Sequence, residues 1–204
     1  MQFDSVFTIL IIMKILLTLF VLLFPSSVFA DDISDFEIEG MSIGDSLLDY
    51  LNEQEILSEM SNKYIFPNSK IYFQTSYDMK SKNYERISFT LKENDNRYII
   101  HSISGIITFK KNFDQCHKFK KEVIKDISFL FPKITPRNYD YIYKNVDDGK
   151  SISYISEGTL EGGIVRVYCT DWSKVAEENT GNIDLLNIEL MTDENTNWLD
   201  SEAY

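Results

Sequence analysis

Cysteine and histidine are nearly absent from this chain, which holds two of each among 204 residues. That scarcity excludes a disulfide-rich scaffold, and the two cysteines and two histidines lack the spacing of a Cys/His zinc site. His101 and His117 have no second ligand at metal-binding spacing, so neither a metal nor any other cofactor is expected. Proline and glycine are scarce too, at four and eight residues, which excludes collagen-like or linker-rich organisation. Basic residues number 20 against 32 acidic ones, and the net charge of −12 argues against nucleic acid and anionic lipid surfaces as partners. No long apolar run follows residue 30. The apolar fraction of 44% is still ordinary for a globular chain, and the length suits one domain with a real core.

The long apolar run lies at the start. Residues 9–24 are apolar except for Lys14 and Thr18, and Val28-Phe29-Ala30 offers a cleavage site before Asp31. Residues 1–30 are therefore expected to be a secretory signal peptide, with Met13-Lys14 marking the true start. No cysteine stands at the cleavage point, so a lipid anchor is not expected. The alternative is an uncleaved N-terminal anchor in the inner membrane, since residues 6–24 approach the length of a span. The expected location is periplasmic or secreted. Any macromolecular partner would then be another periplasmic or envelope protein.

Residues 31–204 are expected to form a single α+β domain. Phe36-Glu37-Ile38-Glu39 alternates like a short strand. Ser42 with Asp45 three residues on, then Leu47, Leu48 and Leu51, predicts a first helix. Asn52 with Glu55 repeats the device and predicts a second helix over residues 53–60. Ile71, Phe73 and Thr75 alternate with polar residues, and Ile87, Phe89 and Leu91 do so in a pattern expected of a half-buried strand. Asn94-Asp95-Asn96 is turn chemistry, followed by a long central strand over residues 97–109 in which Gly105 marks a bulge. From Asn112 to Phe131, the residues Phe113, Cys116, Phe119, Val123, Ile127 and Leu130 recur at helical spacing, and Pro132 stops the helix. Strands follow over 151–156, 164–170 and 183–192. The predicted order is α-α-β-β-β-α-β-β-β in an antiparallel sheet with helices packed on it, open to being a degenerate duplication.

Two constellations bear on chemistry. Cys116 lies on the apolar stripe of its helix and Cys169 shares a strand face with Val165 and Val167, so in an exported protein they are expected to form a disulfide. The second is Gly44-Asp45-Ser46-Leu47, which resembles the nucleophile block of the GDSL serine hydrolases. Asp114-Gln115-Cys116-His117 is similar to that family's Asp-x-x-His, and Asn94-Asp95 is similar to its Asn block. The resemblance implies an esterase with Ser46 as nucleophile, His117 as base, Asp114 behind it and Asn94 at the oxyanion. Against it stands the hairpin pattern between Ser46 and His117, where that family has a doubly wound parallel sheet. The leading expectation is therefore no catalytic residue at all. Lys110, Lys111, Lys118, Lys120, Lys121 and Lys125 make one basic cluster, expected to be an exposed helix face. The acidic loops at Asp147-Asp148-Gly149 and over residues 178–184 lack the calcium-loop register.

Two stretches carry a wider likeness. Phe36-Glu-Ile-Glu-Gly-Met-Ser-Ile-Gly-Asp-Ser-Leu-Leu-Asp-Tyr50, and the tail from Cys169-Thr-Asp-Trp-Ser through Asn197-Trp198-Leu199 to Ala203-Tyr204, resemble small exported proteins of marine alphaproteobacteria. That likeness implies export and no particular activity. Gly40-Met41-Ser42 and the helix-helix-three-strand order are similar to small outer-membrane assembly lipoproteins and the β-lactamase-inhibitor-like fold, which implies a protein-binding module. The chain departs from those lipoproteins in lacking the lipidated cysteine. The expected function is a non-enzymatic binding or interaction module, with the secreted serine hydrolase as alternative.

Overall fold

Asn52 and Glu55 cap a helix as their spacing predicts. In the computed structural model, which describes residues 32–78, 81, 83–109, 112–144 and 148–204, Asn52 Oδ1 accepts from Glu55 N at 3.0 Å. Glu55 Oε2 accepts in return from Asn52 N, and helix α1 (Glu53–Met60) follows. The signal segment, with Met13, Ala30 and Asp31, lies outside the described residues.

Eight strands form one sheet: β1 (Tyr64–Ile65), β2 (Tyr72–Tyr77), β3 (Arg86–Lys92), β4 (Ser102–Thr108), β5 (Arg137–Ile142), β6 (Ile152–Leu160), β7 (Gly163–Asp171) and β8 (Leu185–Thr192). Helices α2 (Phe113–Leu130), α3 (Lys174–Thr180) and α4 (Asp193–Ser201) complete the α+β class. The sheet order is β1-β2-β3-β4-β8-β7-β6-β5, with every neighbouring pair antiparallel. Two four-stranded meanders, each preceded by a helix, are thus joined through their last strands.

One sheet face carries the main core. Ile87, Phe89, Leu91, Ile103, Val165, Val167, Leu186, Ile188 and Leu190 are buried there under α2, α1 and the segment from Ile33 to Leu51. Burial of each such side chain contributes on the order of 1.5–3 kcal/mol. Helix α2 is fastened to β7 by the Cys116–Cys169 disulfide, with the Cα atoms 6.0 Å apart. The ring of Phe131, just past α2, stacks on Phe36 at 5.4 Å.

Several expectations need correction. Residues 36–39 form a turn rather than a strand: Ile38 bridges Met41, with Glu39 and Gly40 at φ of 53° and 78°. The predicted first helix is a single 3-10 turn (Leu47–Asp49) whose N-cap is Ser46; Ser42 N instead bonds Asp45 Oδ2 at 2.9 Å. The long strand over 97–109 shortens to β4, because residues 98–100 bond back to the opening segment. Leu47 N donates to Tyr98 O and Ile100 N to Asp45 O, and Tyr98 sits at φ 50°. Gly105 marks no bulge. It stays in register with Ile87 and Ile188, and the Tyr84 ring fills the space a Cβ would need, 2.4 Å from it. Strand β3 is buried on both faces from Ile87 to Leu91, not on one.

Four elements carry no expectation from sequence at all. They are β1 and β5 at the two sheet edges, α3 between β7 and β8, and α4 after β8. Helix α4 starts at the N-cap Thr192, whose hydroxyl accepts from Asn195 N at 3.1 Å. It folds onto the second sheet face, where Trp198 packs on Phe66 and Tyr72 at 4.8 and 4.7 Å.

Candidate functional site: a polar sheet face

The residues of the hydrolase alternative do not assemble. Ser46 Oγ donates to Arg97 O at 2.6 Å and accepts from Leu48 N, so its hydroxyl is spent on backbone. His117 packs edge-on against Phe113 and Tyr154 at 5.0 and 4.9 Å. Asp114 is exposed in the first turn of α2, and Asn94 occupies the β3–β4 turn at φ 63°. Ser46 bridges Ile99, before β4, whereas Tyr154 lies level with Ile107 near the far end of β4 and three strands away. Strand rise and spacing put roughly 30 Å between the two sites. No hydrogen bond among the described residues joins any two of the four.

The basic face of α2 is interrupted. Lys118, Lys121 and Lys125 are exposed, while Lys110 and Lys111 lie outside the described residues. Lys120 is buried and donates from Nζ to Tyr154 O at 2.6 Å. Burial pulls its pKa down to about 8, against the charge of Asp140. Among the described residues no group of three or more metal-ligating side chains occurs. Asp147 lies outside the described residues; Asp148 pairs with Lys150 at 2.9 Å, and Asp184 accepts from Trp172 N at 2.8 Å, as turn-holding carboxylates do.

The second sheet face is where charge gathers. Ser76, Ser88, Ser104, Glu189, Arg166, Glu157 and Arg137 are successive register partners from β2 across to β5. The serines form a floor of small hydroxyls, and beside it the charges alternate in sign. Glu157 is saturated: it accepts from Arg137 Nη2 at 2.8 Å, from Arg166 Nε at 2.6 Å and from the Tyr139 phenol at 2.9 Å. Burial works against its charge, but these donors and the two guanidiniums hold it below the usual carboxylate range.

Glu189 is the opposite case. Its one hydrogen bond among the described residues, from Ser102 Oγ, is long at 3.5 Å, and burial pushes its pKa up despite the charge of Arg166. Two residues before it on the same face, Asn187 donates Nδ2 to the Tyr168 phenol at 2.6 Å, which leaves Oδ1 buried without a partner among the described residues. Burial also raises the Tyr168 phenol well above its ordinary value.

Helix α4 and the C-terminus cover one end of this face, around Tyr72 and Trp198. Tyr204 touches the Phe66 ring at 5.7 Å, and burial, with Tyr64 next, raises the pKa of its phenol.

The raised pKa of Glu189 has a testable sign. A carboxyl whose folded pKa exceeds its unfolded value destabilises the ionised fold, so stability falls as pH rises through the folded pKa. Replacing Glu189 by Gln is expected to leave stability unchanged near pH 4 and to raise it at pH 8, measured by urea unfolding. A loss at pH 8 would show that the carboxylate is held by donors, as Glu157 is.

Comparison of the chain with protein-family models, curated proteins and solved structures gave no match.

Proposed function

We propose that this is an exported periplasmic binding protein without catalytic activity, and that the polar sheet face around Arg166 and Glu189 is its ligand surface. The observation that carries the reading is the pair Glu189 and Arg166. Two charged side chains, cross-strand neighbours on β8 and β7, keep hydrogen-bonding capacity that the described residues do not use. Buried charge whose hydrogen-bonding capacity stays open costs stability, and its retention on a sheet face is the mark of a ligand site. Export is supported by the apolar segment before Val28-Phe29-Ala30 and by a disulfide, which persists in oxidising compartments. Among the described residues no helix is long and apolar enough to cross a membrane. The mirrored strand order supports a degenerate duplication, with the site near the join of β4 and β8. The hydrolase reading would need Ser46 and His117 brought together from opposite ends of the sheet, and no observation favours it.

Thermal unfolding against panels of amino acids, sugars, nucleosides and carboxylic acids tests the binding reading. At least one panel at millimolar concentration should raise Tm by several degrees, and Arg166→Gln should abolish the rise. No rise with any panel would overturn it. For export, intact mass of protein from the periplasm should show a chain beginning at Asp31. A product that keeps residues 13–30 would establish the membrane anchor instead.

A further inference from the structure

We infer that the ligand is a small zwitterion of the α-amino acid class, its carboxylate held by Arg166 and its ammonium by Glu189. This rests on the binding reading above and narrows it to one chemistry. Arg166 is fixed in direction: Nε is tied to Glu157 Oε2 at 2.6 Å, and the two side chains are only 15% and 11% exposed. Neither terminal nitrogen of Arg166 has a partner among the described residues. A guanidinium pinned through Nε presents its two terminal nitrogens as a ready fork, the geometry that a carboxylate fills with two parallel hydrogen bonds.

On the other side of Arg166 stands Glu189, its direct register partner. Oppositely charged cross-strand neighbours ordinarily close on each other. Here they do not: Arg166 turns to Glu157, which Arg137 already neutralises, and no ion pair joins Arg166 to Glu189. Along the register row from β8 to β5 two glutamates meet two arginines, but the pairing is uneven. Glu157 takes both guanidiniums, which leaves the terminal nitrogens of Arg166 and the carboxylate of Glu189 side by side with open capacity among the described residues.

A ligand of a single sign would satisfy one of these groups and strip water from the other without compensation. A neutral polyol would bring no charge to either. Opposite charges separated by one carbon satisfy both, and that is the α-amino acid head group. The acceptors agree with an ammonium on the Glu189 side. The carboxylate offers two oxygens with one weak internal bond, and the unpartnered Oδ1 of Asn187 lies two residues away on the same face. The donors agree with a carboxylate on the Arg166 side, where the phenol of Tyr168 accepts from Asn187 and keeps its own proton to give.

Isothermal titration of the purified protein tests this. The probes are glycine, L-alanine, L-glutamate, L-lysine and L-phenylalanine, with propionate, ethylammonium and sorbitol as controls. At least one amino acid should bind about tenfold or more tightly than every control. Arg166→Gln and the isosteric Glu189→Gln should each weaken that binding about tenfold or more, with thermal unfolding showing both variants folded. Equal binding of propionate or ethylammonium, or binding of sorbitol without any amino acid, would overturn the zwitterion while leaving the binding reading in place. Silence from every probe, together with no Tm rise in the wider panels, would overturn both.

Discussion

Removing the Cys116–Cys169 bridge is expected to cost about 4 kcal/mol. The bond spans a sequence separation of 53 residues, and a loop of that length loses much entropy on closure in the unfolded chain. In the folded state it joins β7 to α2 within the buried face: both cysteines are fully buried, Cys169 on the same strand face as Val165 and Val167, Cys116 on the same helix face as Phe113 and Phe119. The Cys116→Ser/Cys169→Ser double variant should therefore unfold at a much lower urea concentration with a similar dependence on urea. Amide exchange should rise first in α2, which has no other covalent tie to the sheet, and last in β3 and β4. A double variant within about 1 kcal/mol of the parent would mean that packing alone holds the helix.

Trp198→Ala is expected to cost about 3–5 kcal/mol, the usual range for deleting a buried large aromatic. Trp198 is 4% exposed and anchors the small second core with Phe66, Tyr72 and Ala203. Its indole nitrogen donates to Ser69 Oγ at 2.9 Å, a link across 129 residues that holds the chain end to the start of the sheet. Without it, α4 has Leu199 as its remaining apolar contact with that core, and Lys92 with Glu194 as an exposed ion pair. Exposed pairs contribute little. Trp198→Ala should thus lower Tm and detach α4 as well, which far-UV circular dichroism and proteolysis near residue 193 would register. A stable variant with α4 protected would contradict the role given to this second core.

These two effects differ in how far they could be foreseen. Cys116 and Cys169 each sit on a plain apolar period, one helical and one of strand type, so inward direction was legible and the pairing followed. The capping box at Asn52 and Glu55 and the alternation of β3 were legible for the same reason: local chemistry and tertiary structure agree there. Helix α4 was not, because Asp193–Ser201 is polar apart from the adjacent Trp198 and Leu199 and reads as a tail. Strand β5 was hidden by exposure at nearly every position, which removes the alternation that marks a strand. Lys120 looked like one more lysine of an exposed face, and only its bond to Tyr154 O shows that its stem fills the space beside β6.

The candidate site illustrates a different limit. Glu157, Arg166 and Glu189 each occupy a polar position in an alternating strand, where a solvent-facing residue is the ordinary expectation. Their meeting depends on the register of β6, β7 and β8, and register across a sheet is set by tertiary pairing rather than by any one strand. The available signal was the charge itself. Arg166 and Glu189 stand mid-strand between apolar neighbours, Val165 and Val167 in one case, Ile188 and Leu190 in the other.

The claim at the centre of this account is that the polar sheet face around Arg166 and Glu189 takes up a ligand, and amide chemical shifts locate uptake residue by residue. A titration of ¹⁵N-labelled protein with a defined pool of amino acids, sugars, nucleosides and carboxylic acids measures it directly. Shift changes are expected in β6, β7 and β8 around Glu157, Arg166 and Glu189, and at Ser104 of β4, with α2 and the turn at Ser46 unmoved. Changes confined to the lysine face of α2, or to the neighbourhood of Ser46 and Asn94, would contradict it.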